Sequence, residues 1–192
     1  MIEGGSLKTA LHFVSPTETT AADRSPAEKR LDRLEGVYRE HQLGVFRAAY
    51  RLTGSADDAE DVVQTVFSRL LAKQTEVELG DAWAPYLHRA AVNGALDVLR
   101  AKARWSSLEE PDGQPSGLCG PEAETRLREQ KAHLRQALAK EPRRSAEMFA
   151  LRYFEGYRNT EIADMFGTSR ASIAVTLHRV RARLRKTMGD GS

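Results

Sequence analysis

The stretch Thr160-Glu-Ile-Ala-Asp-Met-Phe-Gly-Thr-Ser-Arg-Ala-Ser-Ile173 predicts two short helices that meet across a tight turn. Ala163 is small enough for the helices to cross closely, Gly167 permits the turn, and Ile162, Phe166 and Ile173 supply a shared apolar core. Ser169 is placed to cap the second helix, whose first residues would then project into the major groove of a DNA duplex. The candidates for base or phosphate contact are Ser169, Arg170, Ser172 and Thr176. Beyond them Ile173, Leu177, Val180 and Leu184 keep one face apolar, while His178, Arg179, Arg181, Arg183, Arg185 and Lys186 crowd the remainder. Arg179 and Arg183 therefore join the DNA candidates, since cations gathered on one face bind phosphates by releasing counterions. A protein-binding helical hairpin would share the core, but the turn chemistry together with the basic flank favours DNA.

Charge agrees with that placement. The 192-residue chain has a net charge of only +2, and the total conceals an uneven distribution. Residues 142–192 carry 10 basic and 5 acidic side chains, against 10 and 11 in residues 31–108 and 5 and 7 in residues 109–141. A polyanion partner belongs at the C-terminal end.

Upstream of the motif every periodic segment is helical. Leu127, Leu134 and Leu138 mark a helix ending before Pro142, and Met148, Leu151 and Phe154 another that begins near Arg144 and closes at Gly156. Residues 106–126 are predicted to be a flexible linker. Pro111, Pro115, Pro121, Gly113, Gly117 and Gly120 break every pattern there, and residues 106–124 hold five acids, Glu109, Glu110, Asp112, Glu122 and Glu124, and no base. Residues 31–105 form a front domain. In it Leu34, Val37, Val45, Ala48 and Leu52 share one helix face, and Gly54 stops that helix. Ser55 then caps a second helix whose first turn is crowded by Asp57, Asp58, Glu60 and Asp61, carboxylates that oppose the positive end of the helix dipole. Val63, Val66, Phe67, Leu70 and Leu71 are its expected buried stripe. A loop over residues 76–84 precedes a third helix, with Pro85 in its first turn, running to about Arg104. Residues 1–30 lack periodicity and are expected to be a disordered tail, and residues 127–188 form the second domain. The expected fold class is all-α, with two small helical domains.

Several classes are excluded. No apolar run approaches the roughly 18 residues of a membrane span, and the apolar cluster Leu11, Phe13 and Val14 contains His12, unlike a secretory signal. A single cysteine, Cys119, cannot form an internal disulfide, which suits a reducing cytoplasm. Asp57, Asp58, Glu60 and Asp61 could suggest a metalloenzyme, but no histidine falls near enough in sequence to complete a ligand set. No metal, cofactor or catalytic residue is expected.

Tyr50-Arg-Leu-Thr-Gly-Ser-Ala-Asp-Asp-Ala-Glu-Asp-Val-Val-Gln-Thr-Val-Phe67 and Pro85-Tyr-Leu-His-Arg-Ala-Ala-Val-Asn-Gly-Ala-Leu-Asp-Val-Leu-Arg100 resemble conserved region two of bacterial RNA polymerase sigma factors. Phe149-Ala-Leu-Arg-Tyr-Phe-Glu-Gly-Tyr157 through Leu184-Arg-Lys resembles region four. Two domains and a short linker, with nothing like regions one or three, are the pattern of the extracytoplasmic-function (group IV) subfamily. The resemblance implies a promoter-specificity subunit that binds core RNA polymerase, through the β′ clamp helices and the β subunit, and recognises minus-ten and minus-thirty-five promoter DNA. It assigns polymerase binding to the outward face of the second helix, here Asp61, Gln64, Thr65, Ser68 and Arg69. It places aromatic residues, here Trp83 and Tyr86, where an unstacked minus-ten base is trapped, a step that costs a few kcal/mol to be returned by stacking and hydrogen bonding. Arg89, Asn93 and Arg100 would contact the promoter, Lys102 and Arg104 its phosphates, and Asp97 would orient a neighbouring arginine. The acidic linker would thread a basic channel built for RNA. An anti-sigma protein is a possible further partner.

Two departures stand out. Glu141-Pro142 replaces the family's usual Leu-Pro, and Ser172-Ile-Ala-Val-Thr176 puts Ala174 and Thr176 where many members carry cations, which predicts weaker or differently placed minus-thirty-five contacts. The alternative function is a free-standing helix-turn-helix regulator with a helical oligomerisation or sensor domain, acting without polymerase. The Asp57–Gln64 run and the aromatic loop argue against it.

Overall fold

Ser25 starts the first helix. Its hydroxyl accepts the Glu28 N–H at 3.3 Å while the Glu28 carboxylate accepts the Ser25 N–H at 2.7 Å, and Pro26 occupies the first helical position, where its missing N–H costs nothing. The resulting helix α1 (Pro26–Thr53) begins inside the segment expected to be a tail, so the tail's boundary at residue 30 is corrected. The computed structural model describes residues 25–72, 82–105 and 122–189. Residues 1–24, most of the loop before the third helix, and the linker residues 106–121 with Cys119 lie outside the described residues.

Helix α1 ends at Gly54, whose φ of 72° is the left-handed geometry of a C-cap, with its N–H donating to the Tyr50 carbonyl at 2.8 Å. One residue on, the Ser55 hydroxyl accepts the Asp58 N–H and opens α2 (Ala56–Ala72). Helix α3 (Trp83–Trp105) starts two residues before Pro85, which lies in its first turn. Helix α4 (Glu122–Lys140) starts within the segment expected to be linker, so the predicted boundary at residue 126 moves back to Glu122. Helices α5 (Arg143–Tyr153), α6 (Asn159–Phe166) and α7 (Arg170–Gly189) follow, with Gly156 and Gly167 turning at φ of 78° and 58°. Among the described residues there are seven helices and no strand, as the all-α reading requires.

The front core is α1, α2 and α3 packed on one another. Val45, Ala48, Ala49 and Leu52 of α1 meet Leu87, Ala91, Val92, Ala95 and Leu96 of α3, all fully buried. On α2 the inward residues are Ala59, Val62, Val66 and Leu70, one face at helical spacing. Leu71, expected inside, is 51% exposed; the face that meets both α1 and α3 is centred on Val62 instead. Gly94 lets α3 approach α2, since a Cβ there would lie 3.0 Å from Val62 Cγ1.

The second domain is built from α4, α5, α6 and α7 around Leu138, Leu151, Ile162, Ile173 and Val180, all fully buried. The two units pack directly against each other: α3 contacts α4 and α5 as well as α1 and α2, and the buried cluster runs through both.

Candidate polymerase and promoter interface

Asp61, Gln64, Thr65, Ser68 and Arg69 are all exposed along α2, because the inward rhythm of Val62, Val66 and Leu70 turns them outward. Beside Gln64 runs an open groove of about 610 Å³ between α1 and α2, lined by Tyr38, Arg39, Gln42, Leu43, Phe46, Glu60 and Val63. Leu43 there is 54% exposed, and Tyr38 stacks edge-on against Phe67 at 4.8 Å. These α1 residues were not among the candidates read from the sequence. The signal was a second apolar strip, Tyr38, Leu43 and Phe46, beside the buried one.

Trp83 and Tyr86 sit half-buried at the start of α3, edge to face at 6.4 Å, and both pack on the core. Lys102 forms an ion pair with Asp58, joining the end of α3 to the start of α2, and Arg104 is exposed in the last turn of α3. No group of three His, Cys, Asp or Glu side chains among the described residues could hold a metal ion.

Arg89, Asn93, Asp97 and Arg100 form the stripe the spacing predicts, and the second domain lies on it. Arg89 Nε donates to Glu147 Oε1 at 2.6 Å, its Nη1 donates to the Met165 carbonyl, and its guanidinium stacks 4.1 Å from the Phe166 ring centre. Asn93 Nδ2 donates to the same Glu147 oxygen at 2.9 Å. Arg100 donates to the Glu141 carbonyl and lies 3.7 Å from Asp97, which also pairs with Arg143 at 3.0 Å. Glu147 is only 4% exposed. Around this centre Arg51 pairs with Glu155 at 2.8 Å, Arg135 Nε donates to the Leu52 carbonyl at 2.7 Å, and His88 Nδ1 lies 2.8 Å from Tyr157 Oη.

In the helix-turn-helix, Ser169 caps α7 as expected: its hydroxyl accepts the Ser172 N–H at 3.1 Å and meets the Ser172 hydroxyl at 2.9 Å. Thr176 donates its hydroxyl to the Ser172 carbonyl at 2.9 Å. Ser169, Arg170, Ser172 and Arg179 are exposed. Arg170 lines a basic recess of about 420 Å³ with Arg152, Arg158, Asn159 and Thr160, of which only Arg170 was singled out from sequence. The Arg158 N–H donates to Glu161 at 2.6 Å, and this bond holds the Glu161 carboxyl below the usual carboxylate range. The guanidinium of Arg183, half exposed, is bonded to the carboxylate of Glu141 and ties α7 to the end of α4. A second groove of about 350 Å³ opens between α4 and α7, lined by Leu134, Phe149, Arg181, Leu184, Arg185, Met188 and Gly189.

No helix among the described residues is long and apolar enough to cross a membrane. Comparison with known proteins follows the same division of the chain. Residues 37–105 match the Sigma-70 region 2 family and residues 131–184 the Sigma-70 region 4 family. The ECF RNA polymerase sigma factor SigE of Mycolicibacterium smegmatis is 30% identical over 180 residues, covering 92% of this chain and 70% of SigE. The RNA polymerase sigma-E factor of Streptomyces coelicolor is 29% identical over 157 residues, covering 80% of this chain and 85% of that protein. A solved structure of the sigma factor RpoE with the anti-sigma factor NepR, from Bartonella quintana, is 20% identical and covers 84% of this chain and 98% of RpoE, with a TM-score of 0.46. The region 2 match accounts for the front domain, which a free-standing regulator leaves unexplained. The chain belongs to the extracytoplasmic-function family of RNA polymerase sigma factors, which bind core polymerase and promoter DNA and are not in themselves a class of enzymes.

Proposed function

We propose a division of labour within this sigma factor. The outward face of α2, with the adjoining groove of Tyr38, Leu43 and Phe46, anchors the chain on the β′ clamp helices of core polymerase. The stripe of Arg89, Asn93 and Arg100 on α3 reads the opened minus-ten element, with Trp83 and Tyr86 at its head and Lys102 and Arg104 at its foot. Arg170, with Ser169, Ser172, Thr176 and Arg179, reads the minus-thirty-five element as duplex, and the recess of Arg152 and Arg158 takes its phosphates. The apolar groove between α4 and α7 is the surface available to the β subunit. The chain works in the cytoplasm, where promoter DNA and polymerase meet.

The observation that supports this reading best is the segregation of exposed polar groups. Five exposed side chains line one face of α2, while the half-buried Arg89, Asn93 and Arg100, with their hydrogen-bonding groups, lie on a different helix, α3. Transcription in vitro with core polymerase across a genomic promoter library tests it. Discrete start sites that depend on this chain, sharing an upstream and a downstream element, are expected. Duplex binding by the free chain, with no polymerase-dependent transcript, would refute it.

A further inference from the structure

Where the end of α1 meets α4 and the turn after α5, a pocket of about 310 Å³ is lined by Tyr50, Arg51, Lys131, Leu134, Arg135 and Phe154. Leu134 also borders the groove between α4 and α7; the other five belong to no promoter or polymerase contact proposed above. The wall is apolar, made by the rings of Tyr50 and Phe154 and the side chain of Leu134, and the rim carries three cations and no acid. Lys131, Leu134 and Arg135 lie at three- and four-residue steps, so one face of α4 presents all three.

The three cations differ in how they are held. Arg51 is answered by Glu155 at 2.8 Å, whose side chain is nearly buried. Arg135 is fixed in place: its Nε donates to the Leu52 carbonyl, and its guanidinium lies against Gly54, where any Cβ would collide with it. The negative end of the α1 dipole favours a cation there. Its two Nη groups have no bond among the described residues, and neither Arg135 nor the exposed Lys131 has an ion-pair partner among them. Like charges four residues apart on a helix repel, and an anion between them reverses that effect.

We propose that this pocket is a ligand site for a small soluble amphiphilic anion, an acyl or aromatic body ending in a phosphate or carboxylate. The head sits between Lys131 and Arg135, and the body lies against Tyr50, Leu134 and Phe154. The lining sets the class. Its volume is at the small end of ligand pockets, which run to roughly 300–1,000 Å³. A nucleotide fits poorly, because its base and ribose need matched donors and acceptors and, cations apart, the lining side chains offer only the Tyr50 hydroxyl. A bare inorganic anion leaves the apolar wall unused. The occupant touches α1 of the front unit and α4 and Phe154 of the second, so binding stabilises the folded chain as a whole.

Isothermal titration calorimetry of the full chain with decyl phosphate, kept below its micellar concentration, tests the proposal, and the rise in thermal midpoint checks it. Decanol supplies the body without the head, and inorganic phosphate the head without the body. Decyl phosphate should bind at about one per chain and at least about tenfold more tightly than either. Lys131→Gln removes a head contact and Tyr50→Ala part of the wall, both at exposed positions, and each should weaken binding about threefold to tenfold. Lys140→Gln, an exposed cation of the same helix outside the pocket, should leave binding unchanged. Circular dichroism identifies the variants that fold. Equal binding of decanol or of phosphate, an unchanged affinity in Lys131→Gln, or an equal loss in Lys140→Gln overturns the proposal. Capture of the chain by phosphatidylglycerol vesicles without binding of soluble decyl phosphate also overturns it, since that pattern assigns the cations to a bilayer surface.

Discussion

Glu141 holds Arg183 by two parallel bonds, Nε at 2.9 Å and Nη2 on the second oxygen, across the corner between α4 and α5 and the side of α7. The pair is lopsided. The Glu141 side chain is 7% exposed and that of Arg183 is 48% exposed. The hydrogen bonds raise the Arg183 pKa further, so the guanidinium stays charged throughout. Glu141-Pro142, noted as a departure from the family's Leu-Pro, thus has a local consequence: its carboxylate anchors a cation of α7.

That asymmetry predicts unequal effects. Arg183→Ala strands a nearly buried carboxylate and should cost about 2–3 kcal/mol, the range for losing charge-assisted bonds to a buried group. Glu141→Gln leaves an arginine that half-reaches water and should cost about 1 kcal/mol, the screened value of a partly exposed pair. Urea unfolding of the full chain measures both. Equal losses, or a larger one for Glu141→Gln, would contradict this account.

The exposed α2 face makes a cleaner prediction. Asp61→Arg changes an exposed residue, so the unfolding free energy should stay within about 0.5 kcal/mol of wild type. If this face meets a charged partner helix, reversal should still cost several kcal/mol of association and cut run-off transcription at least about tenfold. Pull-down with core polymerase separates the two effects. Retained core binding would remove Asp61 from the contact.

Local chemistry was legible, and long-range chemistry was not. Gly54, Ser55, Gly167 and Ser169 each declare a cap or turn through their own conformational limits, and the structure uses all four as such. The Ser25 to Glu28 capping box was equally local, yet the polar, Ala-rich composition around it hid the helix start. The stripe from Arg89 to Arg100 could be read from spacing alone. Its partners Glu147, Met165 and Glu141 lie 58, 76 and 41 residues away in sequence from Arg89 or Arg100, where no period connects them. The same distance hid the role of Arg183, which looks like any other cation on a basic helix until Glu141 is folded against it.

Arg170 is exposed at the first turn of α7 and borders the basic recess of Arg152 and Arg158. Ala174 and Thr176 supply no cation further along, and the Thr176 hydroxyl is bonded to its own helix, so Arg170 should carry an unusually large share of upstream-element binding. Arg170→Ala should weaken holoenzyme binding to duplex minus-thirty-five DNA. If the contact is to phosphate, the slope of log affinity against log salt should fall by about one. An unchanged footprint and an unchanged slope would together remove Arg170 from the interface.

His88 links the domain interface to pH. It lies half-buried, its ring edge-on to Tyr157 at 5.9 Å, and a Cβ on Gly44 would come within 3.1 Å of its Nε2. Burial pushes its pKa below the ordinary value of 6.5; Glu155 opposes this, while Arg51 and His41 add to it. Burial, then Glu155 and Glu161, push the Tyr157 hydroxyl up to about 12, so that partner does not titrate near neutrality. The unfolded chain therefore takes up the His88 proton at higher pH than the folded chain does. Its contribution to stability is complete above about pH 6.5 and declines as the pH falls below that value, toward the depressed folded pKa. Urea unfolding at about pH 7.5 and about pH 5.5 should show a larger acid loss for wild type than for His88→Gln, which cannot take up a proton. Equal acid losses would assign the pH dependence to other groups and leave His88 a purely packing residue.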